Sequence, residues 1–156
     1  MIVYTTGAPL DVLGKATMDV LPETSTVIPS GFAFEGELGI PTIPAFGEAD
    51  TGLRFQPVAS GTHVFALTTH QHHLGTEMKV WDANDVNDTS TLVANSLSWS
   101  DPPLVQFDPA LEFPEGSTKG CAYRCHWKNT ATVSVNGGLG ANDEMCFFWH
   151  YFYPAP

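Results

Sequence analysis

Positive charge is scarce in this chain. Only 6 of its 156 residues are lysine or arginine, against 17 aspartates and glutamates, giving a net charge of −11. The six (Lys15, Arg54, Lys79, Lys119, Arg124 and Lys128) are scattered and form no basic patch. This argues against nucleic acid and anionic membrane as partners, since either would be repelled. Long apolar runs are missing too, so nothing approaches the ~20 residues of a membrane-crossing helix. No segment holds a helical period over a useful length. The opening Met1-Ile2-Val3-Tyr4-Thr5-Thr6 lacks the basic start and apolar core of a secretory leader. We expect a mature or excised domain that carries a start methionine. No histidine precedes His63, and there is no repeat, low-complexity tract or linker. A chain this long makes one domain, 1–156, with a real core.

Cysteine is sparse as well: Cys121, Cys125 and Cys146. The first two fall on one predicted strand, where four residues span about 13 Å. That is too far for a disulfide. Either Cys146 pairs with one of them, or all three stay reduced as small buried hydrophobes. A disulfide implies an oxidising, extracytoplasmic compartment.

Turn formers, by contrast, are plentiful, with 12 prolines and 14 glycines punctuating short apolar stretches. The pattern predicts strands at 16–21, 25–28, 32–37, 62–69, 75–81, 92–98, 118–127, 132–136 and 144–153. It predicts turns at 82–90, 101–103 and 136–138, and a long loop over 39–52. Many short strands with Gly/Pro turns indicate an all-β fold, an antiparallel jelly-roll-like β-sandwich.

The chemistry concentrates in His70-Gln71-His72-His73. On a strand, His70 and His72 share one face about 6–7 Å apart, while His73 points the other way. Two imidazoles with a thioether suit copper that cycles between Cu(I) and Cu(II); with a carboxylate and a water they would suit zinc. Met145, beside Phe147 and Phe148, taken alone reads as core. Asp143 and Glu144 are placed to orient a ligand histidine from outside the metal's own shell, or to sit on the surface. Trp99, Trp127, Trp149 and Phe148 read as core or cleft lining. His126 and His150 are a weaker candidate for a second metal site. Asp101, Asp108, Glu112 and Glu115 read as a solvated acidic loop. Asn87-Asp88-Thr89 matches a glycosylation acceptor, meaningful only for a secreted eukaryotic source.

Several of these residues together resemble a known family. His63-Val64-Phe65-Ala66 followed by His70-Gln71-His72-His73-Leu74-Gly75 is similar to the histidine-bearing strand of the copper type II, ascorbate-dependent monooxygenases. Downstream, Cys125-His126-Trp127-Lys128-Asn129-Thr130, Gly137-Gly138, Asp143-Glu144-Met145-Cys146 and Tyr151-Phe152-Tyr153-Pro154 resemble that family's closing segment in order and spacing. Val27-Ile28-Pro29 falls where the family has a strand end, so the likeness covers roughly residues 14–154. It implies that His70, His72 and Met145 hold one catalytic copper, at which O2 or peroxide binds and a substrate C–H bond is hydroxylated. It implies a Cys125–Cys146 disulfide, leaving Cys121 free. It also implies electrons from ascorbate or another external reductant, or from an electron-donating domain or protein.

The departures matter equally. Nothing here resembles the family's second copper domain, which carries three histidines. Where the peptide-amidating members have an arginine two residues before the first ligand, this chain has Thr68. Where they have asparagine and tyrosine after the Met-Cys pair, it has Phe147 and Trp149. Peptide-amidation specificity is therefore not carried over; these replacements point to a more apolar substrate or to none. Two functions follow: the copper domain of a monooxygenase, or a non-catalytic copper-binding module for carriage, storage or sensing. A sandwich that binds metal incidentally is a weaker third.

Overall fold

The computed structural model describes residues 13–154. Nine strands and no helix occur among them: β1 Gly31–Glu37, β2 Glu48–Asp50, β3 Arg54–Pro57, β4 Thr62–His70, β5 Gly75–Ala83, β6 Thr91–Ser96, β7 Val105–Phe113, β8 Gly120–Lys128 and β9 Cys146–Tyr153. They form two antiparallel sheets, one ordered β1-β9-β4-β7 and the other β2-β8-β5-β6 with β3 also on β8. The expected all-β sandwich is what the chain forms.

Period-2 alternation sends one side of each strand inward. Trp127, Phe113, Phe148, Ile43, Leu67, Met78, Val64 and Val80 are fully buried between the sheets. Each such side chain contributes about 1.5–3 kcal/mol of burial. The Cys125–Cys146 disulfide joins β8 of one sheet to β9 of the other, with Cα atoms 5.9 Å apart, and Cys121 is free and buried. In β4 the alternation slips at a bulge between Val64 and Ala66. Ala66 and Leu67 are therefore buried in succession. The slip sets Thr68 and His70 outward, on the same side as His63 and Phe65.

Several element predictions need correction. Residues 16–21 and 25–28 form no strand; they run exposed, with Met18, Val20, Leu21, Val27 and Ile28 uncovered. Alternation alone cannot create a strand without a ladder partner. Residues 132–136 supply a single bridge, Val135 to Ile43. The supposed loop over 39–52 contains β2, and β3 follows it directly. β7 went unpredicted because Pro109 interrupts it; the strand lies at a sheet edge, where a missing N–H is tolerated. Met1–Thr6 lies outside the described residues.

Candidate metal centre

β4 ends at His70, and residues 71–74 turn the chain into β5 in the opposite sheet. The turn is pinned at several points. Gly75 N donates to His72 O at 2.9 Å, Lys128 N donates to Leu74 O at 2.9 Å, and the buried Gln71 gives its Nε2 hydrogen to His126 O at 3.1 Å. The His70 and His72 rings stand edge to face, centroids 5.2 Å apart and planes at 88°. His73 does not join them: it is half exposed and lines a cleft with Leu74, Asn129, Asn136 and Asp143.

The segment before β9 reaches this turn from the side. His72 Nδ1 lies 2.6 Å from the Asp143 carbonyl oxygen. A carbonyl only accepts, so Nδ1 carries the hydrogen and Nε2 keeps the free lone pair a metal needs. His70 is shifted below the usual imidazole pKa, first by burial and then by the neighbouring His72, which favours its neutral, ligating form. Met145 is 9% exposed and directly precedes β9. Two residues further, Phe147 is the register partner of His70. The two motifs, 72 residues apart at His72 and Glu144, thus converge at one end of the β4–β9 ladder.

Tight backbone packing holds the Asp143–Met145 arm. Glu144 N donates to Asn136 O at 3.0 Å, and Gly138 N to Glu144 O at 3.1 Å. At Gly137 a Cβ would fall 1.9 Å from Leu38 O, so only glycine fits that crossing. Glu144, expected to sit near the ligands or on the surface, is completely buried and accepts three hydrogen bonds: His72 N at 3.0 Å, Leu74 N at 2.7 Å and Trp127 Nε1 at 3.0 Å. Its place between Asp143 and Met145 was the sequence signal for it. Trp127's bond to it from the other sheet had none.

Beside the histidines the outer face of the first sheet is aromatic. Thr68 pairs with Trp149 and His70 with Phe147. The Trp149 ring centroid is 5.3 Å from that of His70. Phe34 of β1 stacks on Phe147 at 4.2 Å and leans on Trp149 at 5.0 Å. Gly36, at φ +142°, permits this: a Cβ there would meet Cys146 O at 2.1 Å and the Phe147 ring at 2.9 Å. β1 thereby adds Phe34 to the surroundings of His70, which sequence reading did not foresee.

The second-site idea fails on geometry. His126 lies in the second sheet, Nδ1 2.7 Å from Thr76 Oγ1 and Nε2 3.6 Å from Glu48. His150 is buried in the first sheet between the Phe148 and Phe152 rings. Asp108 and Glu112 are exposed on β7, and Asp101 and Glu115 are exposed beyond its ends. Asn87 is exposed in the β5–β6 turn. Among the described residues no three His, Cys, Asp or Glu side chains gather as a metal-binding group. No helix among them is long and apolar enough to cross a membrane.

A comparison with curated individual proteins finds no match. Residues 52–156 match the copper type II ascorbate-dependent monooxygenase C-terminal domain, so that β3 through β9, with both histidine and methionine motifs, fall inside the match. On this match over two thirds of its length, and with the converging motifs of the sandwich, the chain belongs to the copper type II, ascorbate-dependent monooxygenase family.

Proposed function

We propose that this chain is the copper-bearing catalytic domain of a monooxygenase, with His70, His72 and Met145 as the three protein ligands of one copper ion. The observation that carries the reading is the 2.6 Å contact of His72 Nδ1 with the Asp143 carbonyl. It joins the histidine motif to the methionine arm and leaves one defined nitrogen free. Two further features support a His2Met set. His70 is held toward its neutral form. No third His, Cys, Asp or Glu joins the pair among the described residues, which suits a thioether better than a zinc-type set. Bound copper would supply one-electron redox chemistry and an open position for O2 or peroxide.

The protein's own residues do the rest. His70 and His72 bind through neutral imidazoles, and the Asp143 carbonyl keeps His72 from rotating. The Met145 thioether favours the reduced metal. Phe147, Trp149 and Phe34 present an apolar wall beside His70, suited to an apolar substrate. From O2, one oxygen atom enters the substrate C–H bond and the other leaves as water, the electrons coming from ascorbate or another external reductant, domain or protein. We infer that the chain, 1–156, holds one domain whose body reaches beyond the matched residues to at least Gly31, because β1 pairs along β9 from Gly31 to Glu37. An extracytoplasmic location fits the disulfide.

Loading the reduced protein with Cu(I) and recording X-ray absorption with metal stoichiometry tests this. One copper per chain with two nitrogen ligands and a sulfur, the sulfur vanishing in Met145→Leu, is the expected result. No sulfur, or no stoichiometric copper, would overturn it. A carrier or storage module is separated by turnover: the enzyme consumes O2 with two electrons from a reductant, or peroxide with none beyond the initial reduction of the metal, in either case coupled to a hydroxylated product. The apolar wall makes a second prediction. Peptides ending in glycine should bind no better than millimolar, and tight binding by titration calorimetry would count against the apolar assignment.

A further inference from the structure

Glu144 is an anomaly of the fold. A carboxylate with no solvent exposure is costly unless its charge is compensated. Yet among the described residues no lysine or arginine forms an ion pair with it, and the one side chain that could is His73, 3.7 Å away at Nδ1. The compensation comes from neutral donors. Oε1 accepts from Leu74 N, and Oε2 accepts from both His72 N and Trp127 Nε1. These donors belong to the middle and the end of the histidine turn and to β8 of the opposite sheet. The acceptor itself sits between Asp143, whose carbonyl holds His72, and Met145.

We propose that Glu144 is the positioning residue of the centre, a carboxylate clamp that sets the His70–Leu74 turn against the Met145 arm. This rests on the copper reading for its consequence but not for its geometry. The clamp fixes the His72 backbone from one side while the Asp143 carbonyl fixes its ring from the other, so both freedoms of the ligand are removed by consecutive residues. Trp127 braces the same oxygen from the second sheet, which ties the turn to the core. Glutamine cannot replace the carboxylate, although it has the same shape. Both oxygens face N–H donors, so whichever end carries the amide NH2 sets donor against donor. Aspartate keeps the charge but is one methylene too short to reach both the His72 and the Leu74 amides.

The test uses Glu144→Gln and Glu144→Asp in the full chain. The first measurement is made without metal: hydrogen exchange at the His72 and Leu74 amides, followed by NMR. Both variants should lose at least tenfold protection at those amides while the β4–β9 ladder keeps its own. The second is Cu(I) affinity, by competition with a chromogenic chelator, together with the sulfur signal in X-ray absorption. Removing a partner that orients a ligand costs 10–100-fold in affinity, and the same weakening is expected here, with a reduced sulfur contribution. Unchanged protection at His72 and Leu74 would overturn the proposal, as would copper affinity within twofold of the parent with an intact sulfur signal. Should the parent bind no copper, the copper reading falls, and the amide exchange alone decides the clamp. If Glu144→Gln does not fold, Trp127→Phe deletes one donor and keeps the charge. Protection lowered at the His72 and Leu74 amides, with the β4–β9 ladder unchanged, then supports the clamp, and unchanged protection at both overturns it.

Discussion

His150 shows what a single residue contributes when it is not a ligand. Its ring lies in the core between Phe148 and Phe152, with a buried Nδ1 that has no hydrogen-bond partner. Burial pushes its pKa down to about 4 from an ordinary 6.5. The imidazole stays neutral in the folded protein at pH values where the unfolded chain already binds a proton. Stability is therefore present above pH 6.5 and falls as the pH drops toward 4, by on the order of 3 kcal/mol across that window. Substituting His150→Phe keeps an aromatic ring and removes both the titration and the unpartnered nitrogen. Urea unfolding across that pH range should show the acid slope flattened in the variant, with stability at neutral pH equal to or above the parent's. An unchanged slope would assign the acid sensitivity to other groups. Cys121, deep in the same core, is driven the opposite way for the same reason: burial lifts its thiol to about 12, which leaves it inert.

At the scale of elements, legibility followed the presence of a local pattern. The strand leading to the histidines could be read because Val64 through Thr69 form an unbroken β-prone run, although its alternation slips at the bulge, and β1, β5, β8 and β9 likewise announce themselves within their own residues. β7 could not be read that way. Its Pro109 argues against a strand, and only its position at a sheet edge makes the proline harmless. The reverse error arose at 16–21, where apolar residues alternate, and at 25–28, a short β-prone run; neither finds a ladder. The site divided similarly. His70, His72 and Met145 stood out through their motifs and their likeness to the copper monooxygenases. The bulge that turns Thr68 and His70 outward is a product of pairing with β9 and β7, and has no sequence mark. Phe34 is the plainest example: it reaches Phe147 only because Gly36 lets β1 lie close on β9. Contacts made across strands distant in sequence belong to the register, and one sequence does not display its own register.

For the molecule as a whole, the two sheets are held together beside the histidine turn by a covalent bond and a hydrogen bond set side by side. Cys125 and Trp127 face inward from β8, two residues apart. The first bonds Cys146, and the second donates to Glu144 on the segment leading into the same strand. Met145 lies between those two attachment points. Opening the disulfide should therefore destabilise the fold and loosen the methionine arm together. For a loop of 21 residues the lost restraint on the unfolded chain is about 3 kcal/mol. In a protein of this size that lowers the melting temperature by roughly 10 °C. The double variant Cys125→Ala/Cys146→Ala should show that drop in calorimetry, and its Cu(I) complex should lose sulfur scattering before nitrogen, because His70 and His72 are carried by β4 and its turn. The alanine pair also removes two buried sulfurs, so the reduced parent protein is the cleaner comparison: dithiol reduction alone should reproduce most of the drop. A melting temperature within a degree or two of the parent, with sulfur ligation intact, would mean that Glu144 and its three donors hold the arm unaided. The disulfide would then serve the sandwich alone.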